Sequence, residues 1–299
     1  MKPETQSFYA RVVQRVVEQI ASRLDDALEL DVLARNAGLS PFHFHRIFRG
    51  MVGQTPLELS RRLRLERAAW RLCHREGGIT SVAFDAGYET HEGFTRAFRA
   101  CYGTAPSGFR SRRYPRIELA ASCGVHFDAA GGCPAFVPRD SGGNAMKVEI
   151  HTMPERRLAS VRHIGPYNQI PQAFERLGEL VNGTPLVHAG AAMIAIWHDD
   201  PEAVPAEQLR SDAALTVDER ATLPAGLEEL RLPAGRYAST THVGPYELLG
   251  DVWARFMGEW LPSSGHQLGP GLSYELYRNT PAMVPKSELV TELYLPIAG

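Results

Sequence analysis

Apolar residues recur at helical spacing through the first third of the chain. Phe8, Val12, Val16, Ile20 and Leu24 stand four apart and form one stripe, which predicts a helix. From there to about residue 114 the pattern reads as helix after helix. Residues 128–145, DAAGGCPAFVPRDSGGNA, lose any period and are rich in Gly, Ala, Pro and Ser, the composition of a linker. From Met146 the period changes. Short β-type runs at Lys147–His151, Arg157–His163, Ala191–His198, Arg236–Val243, Ser273–Arg278 and Glu288–Leu295 alternate with two amphipathic helices. The expected organisation is an all-α domain at 5–114, a linker at 115–145, and an α+β domain at 146–299.

The helical part repeats itself. LARNAGLSPFHFHRIFRGMVGQTP (33–56) places Gly38 at a turn, Ser40 as a helix cap and Pro41 at the first helical position. VAFDAGYETHEGFTRAFRACYGTAP (82–106) does the same with Gly87 and Thr90. Phe48 recurs as Phe98, Arg49 as Arg99, Gly53 as Gly103 and Pro56 as Pro106. Between the copies lies the Arg-rich PLELSRRLRLERAAWRLCH (56–74), long enough to hold two helix-turn-helix units at fixed spacing. Two such units on one rod can enter successive major grooves of double-stranded DNA. The side chains expected at base edges and backbone are Phe42, His45, Arg46 and Arg49 in the first unit. In the second they are His91, Glu92, Thr95 and Arg96. The bland alternative is a tri-helical packing motif with a solvated arginine face. His43 and His74 read as ordinary surface or packing residues.

Charge favours DNA. Net charge is only −2, but residues 1–116 hold 19 Lys+Arg against 12 Asp+Glu, and the remainder 13 against 22. A basic half joined to an acidic half places the polyanion on the first.

The second domain is also a repeat. PERRLASVRHIGPY (154–167) aligns without a gap on PAGRYASTTHVGPY (233–246), and Phe174 falls over Trp253. The offset of 79 becomes 80 beyond the helices, where IWHDDPEAVP (196–205) meets LYRNTPAMVP (276–285) and Asp212 meets Glu292. Each half reads β-α-β-β. Two halves related by a pseudo-two-fold axis would set equivalent positions facing each other across a central groove. The His, Gly and Pro of the two HxGPY turns read as strand-to-helix turn residues. Their tyrosines, Tyr167 and Tyr246, suit a groove wall. Glu292 lies in the apolar VTELYLPI, where a carboxylate is costly unless paired. With Trp197, Trp253 and Tyr277 it makes a candidate site for a lipophilic cation; Asp212 is the weaker candidate.

The stretch 8–113, with its signature AGYETHEGFTRAFRACYGTAPSGFR, resembles the DNA-binding domain of AraC/XylS-type transcription regulators. It departs from their common form in standing N-terminal to the sensor, an order that Rob-type members share. The stretch 146–299, with two HxGPY turns and TELYLPI, resembles the GyrI-like effector-binding domain of Rob- and BmrR-type regulators. There a buried acid and aromatics in the groove bind hydrophobic, often cationic, compounds. Trp197 stands where that family often has tyrosine.

The function these readings imply is a ligand-responsive DNA-binding regulator, not an enzyme. Alternatives are a small-molecule hydrolase using the groove acid, or a protein-binding inhibitor module. No cofactor or metal is expected, since the four cysteines show no zinc spacing. Expected partners are DNA, a small-molecule effector and RNA polymerase, in a cytoplasmic monomer or dimer. No apolar run is long enough to span a membrane and the N-terminus lacks a signal-peptide core.

Overall fold

A computed structural model describes residues 3–111, 117–132, 136–137, 146–188, 190–199 and 204–299, with side chains from Phe8 onward. The chain forms two compact units, mainly 7–141 and 142–299.

In the helical unit, α1 (Pro3–Ser22) buries Val12, Val13, Val16, Val17 and Ile20, the inward face of the expected stripe. The first helix-turn-helix is α2 (Leu30–Asn36) and α3 (Pro41–Val52), and α4 (Pro56–Cys73) is the connecting rod. The second is α5 (Ile79–Asp85) and α6 (His91–Tyr102), followed by α7 (Pro106–Ser111). Both turns use glycine at positive φ, +69° at Gly38 and +84° at Gly87, where a β-carbon is strained. A capping box starts α4: Thr55 accepts from the Glu58 amide while Glu58 accepts from the Thr55 amide. Thr90 caps α6 by accepting from the Gly93 amide at 3.0 Å.

The arginines of α4 are clamps. Arg64 donates to the carbonyls of Leu24 and Asp26 just beyond α1. Arg67 donates to the Asp25 carboxylate and also, at 2.7 Å, to the carbonyl of Asp85 at the end of α5. Arg71 reaches the Asp85 carboxylate. One helix face therefore holds the end of α1 and the second helix-turn-helix together.

Of the expected linker, residues 115–116, 133–135 and 138–145 lie outside the described residues, and its first described part packs on α4. Glu66, 1% exposed on α4, accepts from Arg62, from His126 and from the backbone amides of Leu119 and Phe127. Cys123 and Val125 are fully buried, and Phe127 meets Trp70 edge-on at 6.4 Å. A buried carboxylate that satisfies two chain amides fixes the segment 117–127 to the rod.

The second unit is one eight-stranded antiparallel sheet of β1 (Glu149–Met153), β2 (Arg156–Ile164), β3 (Met193–Trp197), β4 (Arg210–Thr216), β5 (Glu228–Leu232), β6 (Gly235–Val243), β7 (Tyr274–Tyr277) and β8 (Val290–Ile297). Its order is β1-β6-β8-β7-β3-β4-β2-β5. Exchanging the two halves reverses that order onto itself, so the pseudo-two-fold lies between β7 and β3. Each half carries an extra leading strand, and each leading strand joins the other half: β1 pairs with β6, and β5 with β2. Helix α8 (Pro171–Val181) buries Ala173, Leu177 and Val181 on Ala159, Ala195, Ala213 and Leu215. In the second half the equivalent helix α9 (Leu249–Arg255) continues through a π-helical turn (Phe256–Trp260) into α10 (Leu261–Ser264). The other sheet face buries Ile194, Ile196, Leu276, Tyr237, Tyr274 and Tyr294.

Candidate ligand groove and DNA-reading helices

At the centre of the sheet Ala195 pairs with Glu275, Ile194 with Leu276 and Met193 with Tyr277. Strand alternation puts Ala195 and Glu275 on the helix-bearing face. Glu275 is 2% exposed, and its carboxylate accepts from the Trp253 indole N–H and the Tyr277 hydroxyl, both at 2.7 Å. Burial and the neighbouring Glu275 hold the Tyr277 hydroxyl well above its ordinary titration range. Tyr246 is raised for the same two reasons.

Around the acid stand equivalent aromatics from both halves. Tyr246 packs on Tyr277 at 5.2 Å, and Phe174 meets Tyr277 edge-on at 5.7 Å. In the other lobe Tyr167 packs on Trp197 at 4.5 Å. Trp253 stacks on Phe256 at 5.9 Å. Tyr167, Trp197, Tyr246, Trp253 and Tyr277 thus share this face, as the repeat implied.

Glu292 does not. On β8 it alternates with Leu293, which pairs with Glu275, so Glu292 lies on the opposite face with Tyr294. Arg278 grips it through two N–H bonds of 2.8 and 2.9 Å, and the Tyr294 hydroxyl donates at 2.8 Å. Burial raises the carboxyl, but these donors outweigh it and leave it below the ordinary range. Its repeat partner Asp212 is fully buried and accepts from Arg162 and His198, each at 2.5 Å. Both acids are ion-paired residues; Glu292, with Arg278, Tyr294 and His151, lines a cavity on its own face, and Glu275 is the acid on the helix-bearing face. Sequence held the signal: Glu275 sits in the apolar run SYELY, and the offset of 80 sets it over Ala195.

The HxGPY histidines are consumed by their own turns. His163 Nε2 bonds the Pro166 carbonyl at 3.1 Å and His242 Nε2 the Pro245 carbonyl at 3.2 Å. Gly165 and Gly244 hold φ near +141° and +140°, which L side chains rarely adopt.

In the helical unit α6 exposes His91, Glu92, Arg96 and Arg99, and Thr95 is half-buried. On α3 Arg49 is exposed and Arg46 half-buried, whereas Phe42 and His45 are each 3% exposed. Among the described residues no cluster of His, Cys, Asp or Glu could hold a metal, and no helix is long and apolar enough to cross a membrane.

Residues 146–298 match the family described as the GyrI-like small molecule binding domain, and residues 33–112 match a helix-turn-helix domain family. A DNA gyrase inhibitor of Erwinia billingiae is 32% identical over 158 residues, 51% of this chain and 98% of that protein. Regulatory protein SoxS of Salmonella typhimurium is 35% identical over 104 residues, 35% of this chain and 97% of that protein. Of solved structures, the EcmrR C-terminal domain is 18% identical with a TM-score of 0.45, covering 51% of this chain and 98% of that one. A paired helix-turn-helix domain followed by a small-molecule-binding domain defines a ligand-responsive, DNA-binding transcription regulator. The chain belongs to the GyrI-like small molecule binding domain family.

Proposed function

We propose that the effector is a lipophilic cation bound against Glu275 in the aromatic groove, and that its binding regulates reading of DNA by α3 and α6. The observation that carries this is the acid itself. A carboxylate 2% exposed, accepting from Trp253 and Tyr277 among aromatic rings, offers a bound cation a counter-charge. Tyr246, Trp197 and Tyr167 supply aromatic faces for cation–π contact. DNA contact falls to Arg46 and Arg49 on α3 and to His91, Glu92, Thr95 and Arg96 on α6. RNA polymerase is the partner through which transcription responds, and the compartment is the cytoplasm. The groove binds without turnover.

Calorimetry with tetraphenylphosphonium tests the site. Glu275→Gln is expected to weaken binding at least about tenfold, the loss of one charge-assisted contact. Glu292→Gln is expected to leave it within about twofold. The reverse ranking would return the site to Glu292. Rhodamine 6G, an ester-bearing cation, is expected to be recovered intact after long incubation; hydrolysis would make the groove catalytic.

A further inference from the structure

Buried polar atoms almost always find partners, because an orphaned donor or acceptor forfeits its hydration for nothing. Among the described residues of the second unit three side-chain atoms are buried without one: Trp197 Nε1, Ser211 Oγ and Thr291 Oγ1. All three lie on the groove face. Trp197 pairs directly with Ser211 across β3 and β4, beside Ala195 and Ala213 in the core under α8. Thr291 pairs with Tyr277 across β7 and β8. Ser211 and Thr291 are both 0% exposed, and the offset of 80 makes them the same position in the two halves.

The two lobes differ in one respect. In the second half the residue beside the hydroxyl is Tyr277, whose O–H donates to Glu275. In the first half the residue is Trp197, and with Ala195 in place of the acid its N–H has no carboxylate to donate to. The first lobe therefore offers two donors, an indole N–H and a hydroxyl, and lacks the charge. Trp197 lies two residues along β3 from the position that faces Glu275. That diagonal is roughly 7–8 Å between backbone positions, within one drug-sized molecule.

We propose that the first lobe is a neutral hydrogen-bonding subsite, Trp197 with Ser211, and that the preferred effector is a cation carrying a hydrogen-bond-accepting oxygen on an arm. The proposal rests on Glu275 as the cation site. A hydrocarbon cation fills the charged lobe and leaves the indole N–H unsatisfied. An oxygen-bearing cation satisfies both, and the site discriminates against the analogue that lacks the acceptor.

The test uses two phosphonium cations of nearly equal shape, 4-oxopentyl-triphenylphosphonium and 4-methylpentyl-triphenylphosphonium, titrated into the full chain. The ketone is expected to bind about tenfold more tightly than its hydrocarbon isostere. Trp197→Phe, which keeps the ring and removes the N–H, is expected to bring the ratio near one with hydrocarbon affinity unchanged; Ser211→Ala is expected to reduce it partly. Equal affinities in the unmodified protein would overturn the subsite and leave the Glu275 reading standing. So would a preference that survives Trp197→Phe, since an ordered water or another donor would then supply the contact. Failure of both cations to bind would instead overturn the Glu275 reading.

Discussion

Ala195 and Glu275 face each other in the central pair of the sheet, and they are also the same position in the two halves of the repeat. The pseudo-two-fold axis passes through this pair, so an almost symmetric groove carries its acid on one side only. Filling the empty side has a definite consequence. Ala195→Glu would set two carboxylates opposite each other on a buried face, where like charges repel. The variant is expected to be clearly less stable than the unmodified protein, with the loss eased by a bound cation. Thermal melting with and without tetraphenylphosphonium measures both effects.

Removing the acid separates binding from support. Glu275→Ala strands the Trp253 N–H and the Tyr277 O–H, at a cost of about 1–3 kcal/mol for each group left unsatisfied. Glu275→Gln can keep an acceptor for one of them and is expected to be the more stable of the two. Urea denaturation of both variants decides it; equal stability would mean that the two donors find other partners.

The second helix-turn-helix is held to the rod, and to the end of α1, through Arg67, which bonds both Asp25 and the Asp85 carbonyl. Loss of this bridge is expected to loosen the spacing of the two reading helices. On DNA selected with the unmodified protein, one base pair inserted between the two contacted grooves should weaken binding strongly. The same insertion should penalise Arg67→Ala much less. Mobility-shift titrations on the two DNAs give the ratio, and an unchanged ratio would assign Arg67 to stability alone.

Arg46→Ala and Arg96→Ala are each expected to weaken specific DNA binding by roughly 1–3 kcal/mol. Arg96 is exposed on α6 whereas Arg46 is half-buried on α3. The larger loss is therefore expected for Arg96, and operator titrations at one fixed salt concentration compare the two.

The Arg278–Glu292 pair makes a pH-dependent contribution. Burial raises the Glu292 carboxyl, and its bonds from Arg278 and Tyr294 lower it by more, so it titrates below the unfolded value. A carboxylate lowered on folding stabilises the native state above its unfolded titration, and that stability is lost as pH falls through the folded value. The stability difference between the unmodified protein and Glu292→Gln should be steady at about pH 6 and shrink below about pH 4. Its size is small, because the pair is partly solvated.

The amino-acid pattern was enough to divide the chain, to place two helix-turn-helix units and to reveal the repeat with its aromatic positions. Each of these rests on local periodicity or on comparison of the chain with itself: Gly38 and Gly87 mark turns that need positive φ, and Tyr167 and Tyr246 follow matching strand ends. The faces of the two acids were not legible, for a reason of geometry. Glu275 and Glu292 sit in equally apolar strands, and alternation fixes which residues share a face without saying which face meets the helices. Only the pairing of β7 with β3 and β8 sets Glu275 under Trp253 and turns Glu292 toward Arg278. The exchange of leading strands between halves, and the docking of 117–127 on Glu66, likewise depend on contacts between distant parts of the chain. The sequence by itself determined the elements and their symmetry; the tertiary structure decided which acid the symmetry axis selects, because that choice is made by strand register and not by composition.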